Sequence, residues 1–182
     1  MTQTSSATLQ DLEQRAKQIK LAIFDVDGVL TDGSLFYGDD GQEYKAFNSL
    51  DGHGLKMLRR SGVALAIITG RNSKVVTHRA LNLGVEHVYQ GAEDKLAIYN
   101  HVLADLGMDS AHTAYMGDDV VDLPVLKRCG LAICVPQSVE LVKQHVHYVT
   151  ERGGGRGAAR EVCELIMRAQ GTFDQQMAAY LA

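Results

Sequence analysis

Short apolar runs recur along the chain, separated by stretches whose apolar residues fall three and four apart. Leu21-Ala22-Ile23-Phe24 reads as a buried strand and Val63-Ala64-Leu65-Ala66-Ile67-Ile68 as a central one covered on both sides, with Thr113-Ala114-Tyr115-Met116 and Leu131-Ala132-Ile133-Cys134-Val135 as further strands. Glu86 to Tyr89 and Val146-His147-Tyr148-Val149 add two shorter strands. Between them the spacing predicts helices over 51–61, with Leu50, Leu55 and Leu58 on the apolar face, and over 73–83. Gly62 and Gly84 follow as stops. Further helices are expected from Lys95 to Leu106 and from Val121 to Cys129, where Pro124 is tolerable in the first turn. A leading helix carries Leu9, Leu12 and Ala16 on one face. Strand–helix alternation of this kind predicts an α/β fold, three layers deep and Rossmann-like, with a mostly parallel sheet.

Two segments break the alternation. Ser34 to Tyr37 and Glu43 to Phe47 flank Gly38-Asp39-Asp40-Gly41, a hairpin signal that marks a small β-hairpin flap over about 32–47. Residues 151–182 begin with Glu151-Arg152-Gly153-Gly154-Gly155-Arg156-Gly157, too glycine-rich for regular structure and read as a flexible loop. A helix follows from Ala158 to Gln170, with Val162, Leu165, Ile166 and Ala169 on one face, then a weakly amphipathic tail carrying Phe173, Met177 and Leu181. Residues 1–7 are polar and expected to be disordered. With 182 residues the chain can build one well-buried core and is short for two, so 1–182 reads as a single domain.

Chemistry collects where the apolar runs end. Asp25 and Asp27 follow Phe24, and on an extended chain residues i and i+2 point the same way, so both carboxylates can face one metal ion or one reacting phosphorus. Gly28 lets the backbone turn away beside them. Taken alone, the pair also fits a solvated acidic turn. Thr69 alone fits a strand terminator or helix cap, Lys95 a surface lysine, and the acids of Gly117 to Asp122 a helix-capping cluster.

The ordered set is more informative than its parts. Asp25-Val26-Asp27-Gly28, Thr69 in Ile67-Ile68-Thr69-Gly70-Arg71, Lys95 after Gly91-Ala92-Glu93-Asp94, and Gly117-Asp118-Asp119-Val120-Val121-Asp122 together resemble the four motifs of haloacid dehalogenase-like phosphatases. The resemblance implies a phosphomonoester hydrolase with no large cap domain, its site shielded by the flap. It assigns Asp25 as nucleophile through an aspartyl-phosphate, and Asp27 as the acid and then the base. Thr69, Gly70 and Lys95 would hold the phosphoryl group. Mg²⁺ would be held by Asp25, Asp118 and the backbone carbonyl of Asp27, a donor set suited to a hard cation. Asp119 is implied as part of the metal-side acidic pair, and Asp122 as the support for Lys95.

Narrower features are similar to the sugar acid phosphatases of that superfamily, a group of lipopolysaccharide sugar metabolism. These are Phe47-Asn48, Asp51-Gly52-His53-Gly54, Arg71-Asn72-Ser73 and Gly153 to Glu161. They imply an eight-carbon sugar acid phosphate as substrate and a homotetramer in which flaps meet. A nine-carbon sugar acid phosphate or another small sugar phosphate is the enzymatic alternative. A catalytically silent oligomerisation domain is the alternative of another class. Arg71 and Arg156 are candidates to bind the substrate's anionic groups, although Arg156 also fits a solvated loop residue. Val135-Pro136-Gln137-Ser138 and Leu50 depart from the family pattern.

Composition narrows the partners. A net charge of −4 and a pI of about 5.9 give no reason to expect nucleic acid or an anionic membrane. Cys129, Cys134 and Cys163 form no CxxC pair or zinc spacing, and His145 and His147 supply too few ligands for a zinc site. The amino terminus has no signal-peptide core and no stretch is long and apolar enough to span a bilayer, so a cytoplasmic protein is expected.

Overall fold

The computed structural model describes residues 6–181 and is organised around β1 (Leu21–Phe24), a strand whose four side chains are all buried. β4 (Ala64–Ile68) and β6 (Thr113–Met116) flank it in parallel, with Phe24 in register with Ile67 on one side and Met116 on the other. β5 (His87–Tyr89) extends the sheet beyond β4, and β7 (Leu131–Cys134) and β8 (Tyr148–Val149) extend it beyond β6. The resulting order is β5-β4-β1-β6-β7-β8, parallel throughout. The chain runs outward from β1 to one side and then returns to build the other, which opens a crevice at the carboxyl ends of β1, β4 and β6.

Alternation along β1 feeds two cores. Ala22 and Phe24 pack with Leu12 and Ala16 of α1 (Ser6–Lys17), Leu55 and Leu58 of α2 (Ser49–Arg60), Val76 of α3 (Lys74–Leu83) and Ile166 of α7 (Ala158–Ala169). Leu21 and Ile23 pack on the opposite face with Tyr99 and Val102 of α4 (Lys95–Leu106), Val125 of α5 (Leu123–Leu126) and Val142 of α6 (Glu140–Lys143). These are the three layers expected from the sequence. The flap is a separate two-stranded ribbon, β2 (Phe36–Tyr37) with β3 (Glu43–Tyr44), shorter than its apolar pattern implied.

Several boundaries move for identifiable reasons. α2 starts at Ser49 because the Asn48 side chain accepts the N–H groups of Leu50 and Asp51, and Leu50 then points outward rather than joining the apolar face. The helix expected over 121–129 is a 3₁₀ turn at Val120–Asp122 capped by Asp119, followed by the four residues of α5. Leu9 is exposed although Leu12 and Ala16 are buried. α8 (Phe173–Leu181) packs Phe173 and Met177 against the core and leaves Leu181 in solvent. The disorder expected over 1–7 lies outside the described residues, apart from the helix beginning at Ser6. His147 accepts the Ala132 N–H on its Nδ1 and so serves the sheet edge. Among the described residues no helix is long and apolar enough to cross a membrane.

The glycine-rich loop is the largest departure from expectation. Rather than hanging free, it docks beneath the turn that follows β1. Gly155 N–H donates to Val29 O at 2.9 Å, and a β-carbon on Gly154 would sit 1.8 Å from Gly28 O. Glycine is required here for close backbone approach. Buried Asp51 fixes the far end, accepting Gly157 N–H at 3.2 Å and Arg160 N–H at 2.8 Å at the start of α7. Gly54 lets α2 and α7 approach closely, since a β-carbon there would lie 3.0 Å from the Cα of Arg160.

Gly154→Ala should therefore push the loop off the turn. Overpacking of this kind costs about 1–3 kcal/mol, to be read as a lower midpoint in urea with an unchanged slope.

Candidate active site

The carboxyl ends of β1, β4 and β6 bring Asp25, Thr69 and Asp118 to one cleft of about 410 Å³. Asp27, Gly28, Gly70, Arg71, Lys95 and Asp119 also line it. Asp25 is 6% exposed. Its Oδ1 accepts the Val26 N–H at 2.6 Å and its Oδ2 accepts from Lys95 Nζ at 2.5 Å. Lys95, the first residue of α4, reaches across the core and also donates to Asp122 Oδ1 at 2.7 Å. A lysine buried to this degree is stable as an ammonium only with anionic partners. Burial alone would lower its pKa, but Asp25 and Asp122 raise it above the ordinary lysine value.

Asp122 is the fixed point of this cluster. It is fully buried, and both of its oxygens are engaged. Tyr115 OH donates to Oδ1 at 2.6 Å, while the N–H groups of Asp118 and Asp119 donate to Oδ2 at 3.1 and 3.2 Å. Asp119 itself caps the following 3₁₀ turn by accepting the Val120 N–H at 2.7 Å. Its role in holding the loop is therefore visible, and its carboxylate stands apart from the grouped acids.

Asp25, Asp118 and Asp122 each present an oxygen within 4.8 Å of the others. Burial, then the Asp122 charge, pushes the Asp25 carboxyl up to about 6 despite Lys95. Burial, then the charges of Asp25 and Asp122, pushes Asp118 up to about 7. Three acids facing one ammonium leave a negative excess in a half-closed cleft, which fits a hard divalent cation. Because Asp122 is saturated with donors, Asp25 and Asp118 are the side chains with oxygens to offer. Among the described residues nothing donates to the Asp118 carboxylate, so it can serve such an ion beside Asp25. Gly28 makes the approach possible, since a β-carbon there would meet Asp118 Oδ2 at 2.1 Å.

The other predicted residues divide. Thr69 is 2% exposed and lines the cleft, its N–H held by Tyr89 O at 3.0 Å. Arg71 lines the mouth, with Nε 3.7 Å from Asp27 Oδ2 and a second contact to Glu43 at 3.1 Å. Arg156 does not reach the cleft. It is largely exposed and pairs with Asp32 at 3.1 Å, because the docked glycine loop carries it to the outer side of the post-β1 turn. Sequence reasoning missed Lys45, Glu43 and Tyr115. The first two stand at i and i+2 in the segment Glu43 to Phe47 that the sequence reads as the second arm of the hairpin, a same-face signal; Tyr115 carried no signal beyond lying in an apolar strand.

Both raised carboxyls bind their proton more tightly in the folded than in the unfolded chain. The folded protein without metal should thus lose stability as pH rises from about 4 to about 7. Thermal melts across that range should show the midpoint falling, and Mg²⁺ should restore it at the upper end.

Comparison with known proteins places this geometry. A family model described as haloacid dehalogenase-like hydrolase matches residues 39–130. The 3-deoxy-D-manno-octulosonate 8-phosphate phosphatase of Yersinia pestis is 48% identical over 160 residues, 88% of this chain and 86% of its own length. A probable YrbI family phosphatase from Pseudomonas syringae superposes with a TM-score of 0.94 at 53% identity, covering 95% of this chain and 98% of that one. The 3-deoxy-D-manno-octulosonate 8-phosphate phosphatase of Moraxella catarrhalis, solved with magnesium, phosphate and the sugar acid, superposes with a TM-score of 0.93 at 45% identity, covering 94% and 99%. With this sheet, this cleft and these relatives, the chain belongs to the 3-deoxy-D-manno-octulosonate 8-phosphate phosphatase family of the haloacid dehalogenase-like hydrolases.

Proposed function

We propose that this protein is a single-domain, Mg²⁺-dependent phosphatase that converts 3-deoxy-D-manno-octulosonate 8-phosphate to the free sugar acid and inorganic phosphate. The observation that carries the reading is Asp25 held by buried Lys95 at the centre of the cleft, with an acidic group suited to a divalent cation beside it. Kinship with an enzyme solved with magnesium, phosphate and the sugar acid supports both substrate and metal.

Hydrolysis of a phosphate monoester needs a nucleophile, charge compensation and a proton for a poor leaving group. In this reading an Asp25 oxygen forms a bond to phosphorus as the ester P–O bond breaks. Asp27 gives its proton to the departing sugar oxygen. Asp27 then takes a proton from water, which attacks phosphorus and releases phosphate from Asp25. Lys95 orients Asp25 and supplies fixed positive charge, while Thr69 and Gly70, which line the cleft, would donate to phosphoryl oxygens. Mg²⁺, held by Asp25, Asp118 and the Asp27 carbonyl, would neutralise charge on the phosphoryl oxygens. Arg71 at the mouth suits the substrate carboxylate.

The same reading makes the protein a cytoplasmic homotetramer. Leu35, Phe36, Tyr37 and Tyr44 of the flap and Leu50 beside it are all exposed, an apolar patch that a flap-to-flap contact would cover. Arg156 is left to serve a neighbouring subunit's cleft. Three buried free cysteines suit a reducing compartment.

Phosphate release from the eight-carbon ester, a nine-carbon sugar acid phosphate and hexose phosphates, with Mg²⁺ or chelator, tests the assignment. The eight-carbon ester should win, chelator should abolish turnover, and Asp25→Asn should lower kcat on the order of 10³-fold or more. Preference for another ester would remove the substrate assignment. No cleavage under any condition would favour a silent oligomerisation domain. Sedimentation should give four chains, and Phe36→Glu should dissociate them.

A further inference from the structure

The flap carries one charge that its role as a cover does not explain. Lys45 follows β3, on a ribbon whose aromatic residues face solvent, yet its side chain is only 1% exposed. Its ammonium is bonded to Asp27 Oδ1 and lies 3.2 Å from Glu43. Burying an ammonium is costly without anionic partners, so the flap sits in this position because Lys45 meets Asp27. Arg71 closes the arrangement from the other side. Its Nε is 3.7 Å from Asp27 Oδ2, its Nη2 is 3.1 Å from Glu43, and the same guanidinium is bonded to Tyr37 OH. With Asp27 ionised the cluster is neutral as a whole, and with a proton on Asp27 Oδ2 the Glu43 carboxylate still faces both cations.

The two oxygens of Asp27 are held unequally. Oδ1 is in direct contact with Lys45, whereas among the described residues Oδ2 has only the distant Arg71 Nε. We infer that Lys45 is a positioning residue for the reaction: it occupies one oxygen of Asp27 and aims the other, Oδ2, into the cleft to exchange the proton. The flap thereby aligns the acid as well as covering the site. This inference rests on the phosphatase reading above.

The leaving group provides the test. An alkyl phosphate needs its departing oxygen protonated, whereas p-nitrophenyl phosphate leaves as a stable phenolate. First-turnover release of alcohol or phenol isolates the step in which Asp25 is phosphorylated. Wild type, Lys45→Met, Lys45→Arg and Asp27→Asn would be compared on the sugar acid phosphate, a hexose phosphate and p-nitrophenyl phosphate. Lys45→Met should slow both alkyl esters about 10- to 100-fold, as part of the 10²–10⁴ a positioned acid supplies, and change the aryl ester less than about threefold. Asp27→Asn should show the same pattern more strongly, and Lys45→Arg should recover part of the loss.

Equal slowing of all three esters would mean that Lys45 only supports the fold, and would overturn the inference. Slowing of the sugar acid phosphate alone would make Lys45 a ligand of the substrate carboxylate, and would also overturn it. Should Lys45→Met not fold, Lys45→Gln carries the same comparison. Wild-type protein that cleaves no ester removes the phosphatase reading itself, an outcome distinct from active wild type with an unselective Lys45 variant.

Discussion

The bond between Lys95 and the two aspartates it bridges is the constraint on which the rest of the cleft depends. Three acids meet at the end of a buried parallel sheet, where unpaired charge is expensive. Lys95 reaches Asp25 at 2.5 Å and Asp122 at 2.7 Å, so it ties the turn after β1 to the turn after β6 through the start of α4. Asp122 transmits that tie by taking the N–H groups of Asp118 and Asp119, and Tyr115 fixes Asp122 from within the core. Each acid thus has a different environment. Asp122 is saturated, Asp25 is half engaged, and Asp118 is open. The proposed supporting, attacking and metal-holding roles rest on that graded engagement.

Around this centre the fold supplies a floor and a cover. The floor is the turn after β1, backed by the docked glycine loop and by Asp51 at the entrance to α7. Close backbone packing, possible only because Gly154 lacks a side chain, makes a segment of low intrinsic order into a support. The cover is the flap, a two-stranded ribbon that is too small to be stable alone. It is held by the Lys45 and Arg71 ion pairs on its inner side and exposes Phe36, Tyr37 and Tyr44 on its outer side. The same ribbon therefore presents polar chemistry to the cleft and apolar surface to the outside.

Much of this was legible in the residues. Apolar runs of Leu21 to Phe24, Ala64 to Ile68, Thr113 to Met116 and Leu131 to Cys134 are buried on both faces, and such runs have one stable home, the middle of a covered parallel sheet. Because loops at the carboxyl ends of such strands open to one crevice, Asp25, Thr69 and Asp118 were placed together by strand order alone. Local boundaries were less legible. Asn48 began α2 two residues early through a side-chain cap, and Asp119 with Pro124 shortened the helix expected after it.

The sequence by itself determined the layers, the flap and the set of groups at the strand ends, because periodicity and motif order are local properties of the chain. Tertiary structure alone decided which of those groups touch. It sent Arg156 outward to Asp32, since docking of the glycine loop is a backbone contact between segments about 125 residues apart. It brought Lys45 to Asp27, because a buried ammonium takes whatever carboxylate the folded flap offers it. It also made Asp122, rather than Asp119, the third member of the acidic cluster. Both acids lie in one short turn, and only the positions of Lys95 and Tyr115 in space distinguish them.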